Sequence, residues 1–270
     1  MVNKGKKFWT IGQIDATGVR GPHEKELEDI SNVKYSLFVD IDMHQLEKMV
    51  EEDLGGKIEN IGFNEDWTIT VEMFPEVNIH MAYTYFGDEF GDGIEAEFKF
   101  YFSGERVTMV PGEDSATYID IVMDFMDRLL KKKEPFEKNY DEKTDLMKKV
   151  LIQRSEPFKF LTEEDVEALK SFIGGKAWKT TQGWRIKKEF FPQMTVEIIW
   201  NQTEGLDINF SGEKLEKMSS YHAELVCIFI INHVLRYITL NHPEKELPDI
   251  CYIMFSRLFT KEKNWIHRRA

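Results

Sequence analysis

Two glutamates have the strongest claim to chemistry in this 270-residue chain. Glu72 and Glu189 each sit sixth in a nine-residue stretch, Trp67 to Pro75 and Trp184 to Pro192, that obeys the pattern W-x-I-x-x-E-x-F-P. Paired carboxylates do general acid–base work when one holds a proton that the other lacks, so equivalent positions in two copies of one strand suit that chemistry. The competing role is structural, a cross-strand partnership with Lys or Arg. Trp67 and Trp184 open the two stretches, and with Trp200, Tyr83 and Tyr85 they could form an aromatic platform on an open sheet face. Packing in the core is the plainer use of the same side chains.

A third candidate is the acidic run holding Asp88, Glu89 and Asp92, continued by Glu95 and Glu97. Clustered oxygens attract hard cations, but the spacing is not that of an EF-hand and the glycines suit a hairpin tip. Neither His-Glu-x-x-His nor any other ligand spacing links the seven histidines, although His80 falls in a strand near Glu72. Ser103 and Ser211 occur in Phe-Ser-Gly-Glu at strand ends and read as turn formers. No nucleophile elbow or phosphate-binding glycine loop surrounds any serine or glycine pair. The sequence therefore calls for no metal and no cofactor.

The elements that position these residues come in two sets. Leu54-Gly-Gly-Lys57 precedes the first nonapeptide and Ile173-Gly-Gly-Lys176 the second, while Phe102-Ser-Gly-Glu105 and Phe210-Ser-Gly-Glu213 follow them in the same order. Such ordered self-similarity is the mark of a tandem duplication. Tyr35 to Val39 and Phe158 to Phe160 read as short strands. Asp42 with Gln45, and Thr162 with Asp165, then cap helices that the double glycines end. Four β-rich segments follow in each copy, at residues 57–63, 67–74, 77–86 and 94–102, then 176–181, 184–191, 194–200 and 205–210. Ile69, Val71 and Met73 alternate with Thr68, Thr70 and Glu72, the period of a sheet with one wet face. Helices close the copies at residues 116–132 and 220–237, the second apolar on several sides. The chain divides into an N-terminal arm (1–32), a first repeat (33–133), a partly helical linker (134–155), a second repeat (156–240), and a C-terminal helix with a basic tail (241–270).

Each repeat reads β-α-β-β-β-β-α. The expected class is α+β, with antiparallel sheets, helices packed on one face and a pseudo-twofold axis. That element order resembles the TATA-binding-protein-like fold, a resemblance of order alone that covers most of both repeats and implies a saddle of two halves. Charge separates this chain from the DNA-binding members. Residues 1–135 hold 14 Lys and Arg against 28 Asp and Glu, whereas residues 136–270 hold 21 against 20. An acidic field repels phosphates and favours basic protein surfaces, which argues against a nucleic-acid partner. No apolar run reaches the ~18 residues of a membrane span. Lys4, Lys6 and Lys7 are not followed by the apolar stretch of a secretory signal. Cys227 and Cys251 lie in apolar contexts and read as buried free thiols, which points to the reducing cytoplasm. The expected function is a non-enzymatic binding protein that meets a protein partner, or another copy of itself, through a sheet face or the acidic half. The alternative is an enzyme or small-molecule binder with its site in the groove between the repeats.

Overall fold

The computed structural model describes residues 7–16, 21–87, 95–136, 140 and 142–256. The chain is α+β, with two four-stranded antiparallel sheets and flanking helices. It divides into two compact units, residues 1–133 with 256–258, and residues 134–255 with 259–270.

The first unit starts with a docked arm. Trp9 exchanges backbone hydrogen bonds with Phe102, N–H to O at 2.8 Å and O to N–H at 2.9 Å. Helix α1 (Ile11–Ile14) follows, capped by Thr10, with Ile11 and Ile14 buried. Helix α2 (Pro22–Lys34) places proline in its first turn, where no N–H is missed. It runs directly into a 3-10 turn at Tyr35–Leu37, where the sequence suggests a strand. Only Phe38 of that apolar run is fully buried, and its N–H bonds back to the Tyr35 carbonyl at 3.0 Å. A short apolar run anchored by one side chain suits a tight turn as well as a strand, and periodicity alone cannot separate them. Helix α3 (Met43–Met49) starts where Asp42 accepts the Gln45 N–H at 2.7 Å. It widens into a π turn at Val50–Leu54 and stops at Gly55, whose φ of 65° is left-handed. Gly56 then passes so close to the Thr70 carbonyl that a Cβ would collide with it. Strands β1 (Lys57–Glu59), β2 (Trp67–Phe74), β3 (Val77–Tyr85) and β4 (Ala96–Ser103) form a meander in that order. Helix α4 (Gly112–Leu130) closes the unit, with Ile119, Val122, Met123 and Met126 fully buried.

The second unit repeats the element order. Helix α5 (Asp145–Gln153) belongs to this unit and is not a free linker, since the buried Glu224 carboxylate takes both the N–H and the hydroxyl of its cap, Thr144. A 3-10 turn at Glu156–Phe160 again stands where a strand is expected, with Phe158 fully buried. Helix α6 (Val166–Ile173) follows a capping box in which Asp165 accepts the Thr162 N–H at 2.6 Å and its hydroxyl at 2.9 Å. It ends at left-handed Gly174, and a Cβ on Gly175 would strike the Lys187 carbonyl. Strands β5 (Lys176–Lys179), β6 (Gly183–Phe191), β7 (Met194–Asn201) and β8 (Gly205–Ser211) form the second meander.

Helix α7 (Ser220–Asn241) is long and apolar enough to cross a membrane, but 89% of its apolar window is buried within the fold. The expected helix after Pro248 is replaced, up to residue 256, by a 3-10 turn at Asp249–Cys251 and further turns. Two α7 side chains claim carbonyls there: Thr239 donates to Cys251 O at 3.2 Å, and Arg236 donates to Met254 O. Cys227 and Cys251 are free and buried, and burial pushes the Cys227 thiol well up.

Candidate functional site

The two nonapeptides build the same hairpin. The Glu72 carboxylate accepts the N–H of Glu76 at 3.1 Å, and the Glu189 carboxylate accepts that of Gln193 at 2.7 Å. Glu76 and Gln193 hold φ of 65° and 63°, which Pro75 and Pro192 precede in the two-residue turns. The register slips by one residue between Glu72 and Phe74, and again between Glu189 and Phe191. Gly104 and Gly212 of the Phe-Ser-Gly-Glu motifs lie directly on the turn carbonyls of Glu76 and Gln193, where a Cβ would clash. Arg106 and Lys214 donate backbone N–H groups to those carbonyls at 3.2 and 3.4 Å. Two motifs far apart in sequence are thus halves of one turn, and the glutamate carboxylates cap it.

Trp67 and Trp184 point into the cores, 8% and 2% exposed, and are not on an open face. Trp67 stacks on Tyr83 at 4.5 Å with Phe38 and Phe98 around it, and burial pushes the Tyr83 hydroxyl up to about 12. Of the expected platform only Tyr85 is well exposed. Asp88, Glu89 and Asp92 lie outside the described residues. Among the described residues no group of three His, Cys, Asp or Glu could hold a metal ion.

What distinguishes the units is the sheet face that carries Thr68, Thr70 and Glu72 in the first and Arg185, Lys187 and Glu189 in the second. In the first unit that face carries the cross-strand row Lys57, Thr70, His80 and Tyr101. His80 is wholly buried and bridges two hydroxyls, Nδ1 to Thr70 Oγ1 and Nε2 to Ser103 Oγ, both at 2.7 Å. Its place opposite Thr70 puts it one row away from Glu72, which faces Asn78. Phe8 of the arm packs edge-on to His80 at 5.1 Å and to Phe63 at 5.4 Å, and Phe63 stacks on Tyr101 at 4.3 Å. Glu65 ties down the loop that carries Phe63: its carboxylate accepts the N–H groups of Ile61, Gly62 and Phe63 and the Thr68 hydroxyl. Burial raises the Glu65 carboxyl, but these backbone donors outweigh it and hold the group below its ordinary value. Thr68 and Thr70 are 0% and 4% exposed, so the expected wet face is covered around them, while Lys57, Glu72 and Lys99 on the same face stay exposed.

In the second unit the equivalent row is Lys176, Lys187, Glu197 and Asn209, and the next is Trp178, Arg185, Ile199 and Asp207. Lys176, Lys187, Asp207 and Asn209 are exposed, and Trp178 is 37% exposed. The acids here are engaged: Glu197 by Arg185 at 3.0 Å, Asp207 by Lys143 at 2.9 Å, and Glu189 by the Gln193 N–H. Lys176 and Lys187 face each other across the strands, and among the described residues neither has an ion-pair partner.

Chemically the two faces differ in kind. Ser103, His80 and Thr70 form a hydroxyl–imidazole–hydroxyl chain, but the Ser103 oxygen is buried and cannot meet a substrate. Either imidazole tautomer is satisfied there, because a hydroxyl both donates and accepts. The second face offers cations, a tryptophan edge and exposed positions at every second residue along open strands, which suits contact and not bond-making. Sequence reasoning passed over Glu65, Lys176 and Lys187, and it read Ser103 as a turn former and His80 as a neighbour of Glu72, whereas Ser103 ends β4 and bonds to His80. The one available signal was that Thr70 and His80 of the first copy align with Lys187 and Glu197 of the second. Comparisons with protein-family models, with curated proteins and with solved structures found nothing that matches the chain.

Proposed function

We propose that this chain is a non-enzymatic protein-binding protein, built by tandem duplication, that meets its partner on the open sheet face of the second unit. Duplication is supported by the shared element order, the matching registers and the twice-built glutamate-capped turn. The repeated unit includes the leading helices α2 and α5, so it is longer than the sequence motifs suggest. Likeness to the TATA-binding-protein-like fold is not part of this reading, because the leading strand it needs is a 3-10 turn in both units. One observation carries the binding assignment. The centre of this sheet face, around His80 and Tyr101, is covered by the chain's own aromatics in the first unit, whereas the matching region is left open around Trp178 and Arg185 in the second. Tryptophan and arginine are the residues most enriched where interfaces concentrate their energy. Buried free thiols suit a reducing compartment such as the cytoplasm.

Cross-linking mass spectrometry on the tagged chain tests this. The expected result is a protein cross-linked at Lys176 or Lys187 that is lost in the Trp178→Ala/Arg185→Glu variant. Identical captures by the two proteins, with no link at either lysine, contradict the assignment.

A further inference from the structure

We infer that the partner segment received by the second unit's sheet is carboxylate-rich and extended; this rests on the binding role proposed above and names the chemistry of its ligand. The charge balance of the face leads to it. Its three acids are already engaged, by Arg185, by Lys143 and by a turn N–H. What remains is the Lys176–Lys187 pair, directly opposite one another in the ladder. Like charges in that position destabilise a sheet, so the pair is a cost to the isolated fold that an incoming anion removes. Trp178 and Ile199 flank Arg185 in the adjoining row and offer apolar contact beside the cations.

Geometry favours an extended segment. Residues sharing one face along β6, such as Arg185 and Lys187, repeat every second position, roughly 6.6 Å apart. Alternate side chains of an extended peptide have the same repeat, so carboxylates interleaved with apolar residues match a face of lysines interleaved with Trp178 and Ile199. A polyphosphate strand fits less well. The chain carries a net charge of −13, a field that repels a polyanion at long range, whereas a short segment with a few carboxylates matches two lysines locally.

The test is fluorescence anisotropy with the full chain and three labelled probes. The first is a peptide with the sequence of residues 86–97, which interleaves Asp88, Glu89, Asp92, Glu95 and Glu97 with Phe90 and Ile94. The second has those acids changed to Asn and Gln, and the third is single-stranded oligothymidylate. The acidic peptide is expected to bind, weaken with salt, and lose about tenfold or more in affinity in Lys176→Glu/Lys187→Glu. Lys48→Glu, a charge change on helix α3, should leave binding unchanged, and circular dichroism confirms that both variants fold. Equal binding of the neutral peptide, tighter binding of the oligonucleotide, or no loss in the double variant overturns the inference. If the peptide result is negative while cross-links at Lys176 or Lys187 persist, the face still binds a protein and only its acidic chemistry is wrong.

Discussion

The two sheets of this chain share strand order, register and a glutamate-capped turn, but their outer faces have opposite fates. Where the first has Thr70, His80 and Tyr101, the second has Lys187, Glu197 and Asn209. Thr70 and His80 satisfy each other, with Ser103, by hydrogen bonds, so Phe8 and Phe63 can pack over this region without leaving those polar groups unpaired. The second is charged, and covering it with apolar side chains would carry the desolvation cost of each unmatched ion. A few residues on one face of a common scaffold therefore decide whether that face becomes core or surface. Packing positions such as Trp67 and Trp184, or Ile69 and Ile186, are held in both units and cannot carry the difference.

This contrast can be broken most forcefully at its buried histidine. His80→Ala leaves the Thr70 and Ser103 hydroxyls without their shared partner and should cost about 2–4 kcal/mol in urea unfolding. Glu197→Ala, the same position in the second sheet, should cost under about 1 kcal/mol, because its pair with Arg185 is partly solvated. Equal costs would mean that the first face is no more covered than the second.

Acid should reach the units through carboxylates held below their ordinary value, Glu65 and Asp127 in the first and Asp165 in the second. Burial raises the carboxyl of Asp165, but the Thr162 N–H and hydroxyl, the Tyr237 hydroxyl and His242 outweigh it and lower the group overall. Glu65 is lowered by its backbone donors in the same way. A carboxyl with a depressed folded pKa adds stability above its unfolded value of about 4, and that stability is lost as pH falls through the folded value. Urea midpoints measured from pH 7 to pH 3 should therefore fall less steeply in Glu65→Gln and in Asp165→Asn than in the parent. Curves parallel to the parent would remove these groups from the acid response.

Smaller effects sharpen the common scaffold. Glu72→Ala and Glu189→Ala should each cost about 1 kcal/mol, the worth of one capping bond, and the two costs should agree closely. A loss confined to one of them would mean that the two turns are not equivalent. Lys187→Ala should change stability by no more than about 0.5 kcal/mol, with a slight gain expected from relief of the Lys176 repulsion.

Much of the scaffold was legible in the sequence because it rests on local signals. Helix caps at Asp42 and Thr162, stops at Gly55 and Gly174, and strand bounds such as 67–74 follow from neighbouring residues and a period of two. The covered region was not legible, since Phe8, Phe63, His80 and Ser103 meet only through the tertiary fold. The alternation of Thr68 and Thr70 with apolar residues reads as a wet surface, and nothing local shows that an arm covers it. Likewise Glu72 and Glu189 resembled reactive groups until the turn N–H groups they accept came into view. The 3-10 turns before α3 and α6 escaped because one buried phenylalanine in each anchors a run too short to show a period.

Covalent labelling of the native chain with diethylpyrocarbonate, read residue by residue by mass spectrometry, tests the contrast of the two faces most directly. Lys176 and Lys187 should react readily, as should the exposed His44, while His80 stays unmodified until the chain is unfolded. Modification of His80 at the rate of His44, or protection of both lysines in the isolated chain, would contradict it.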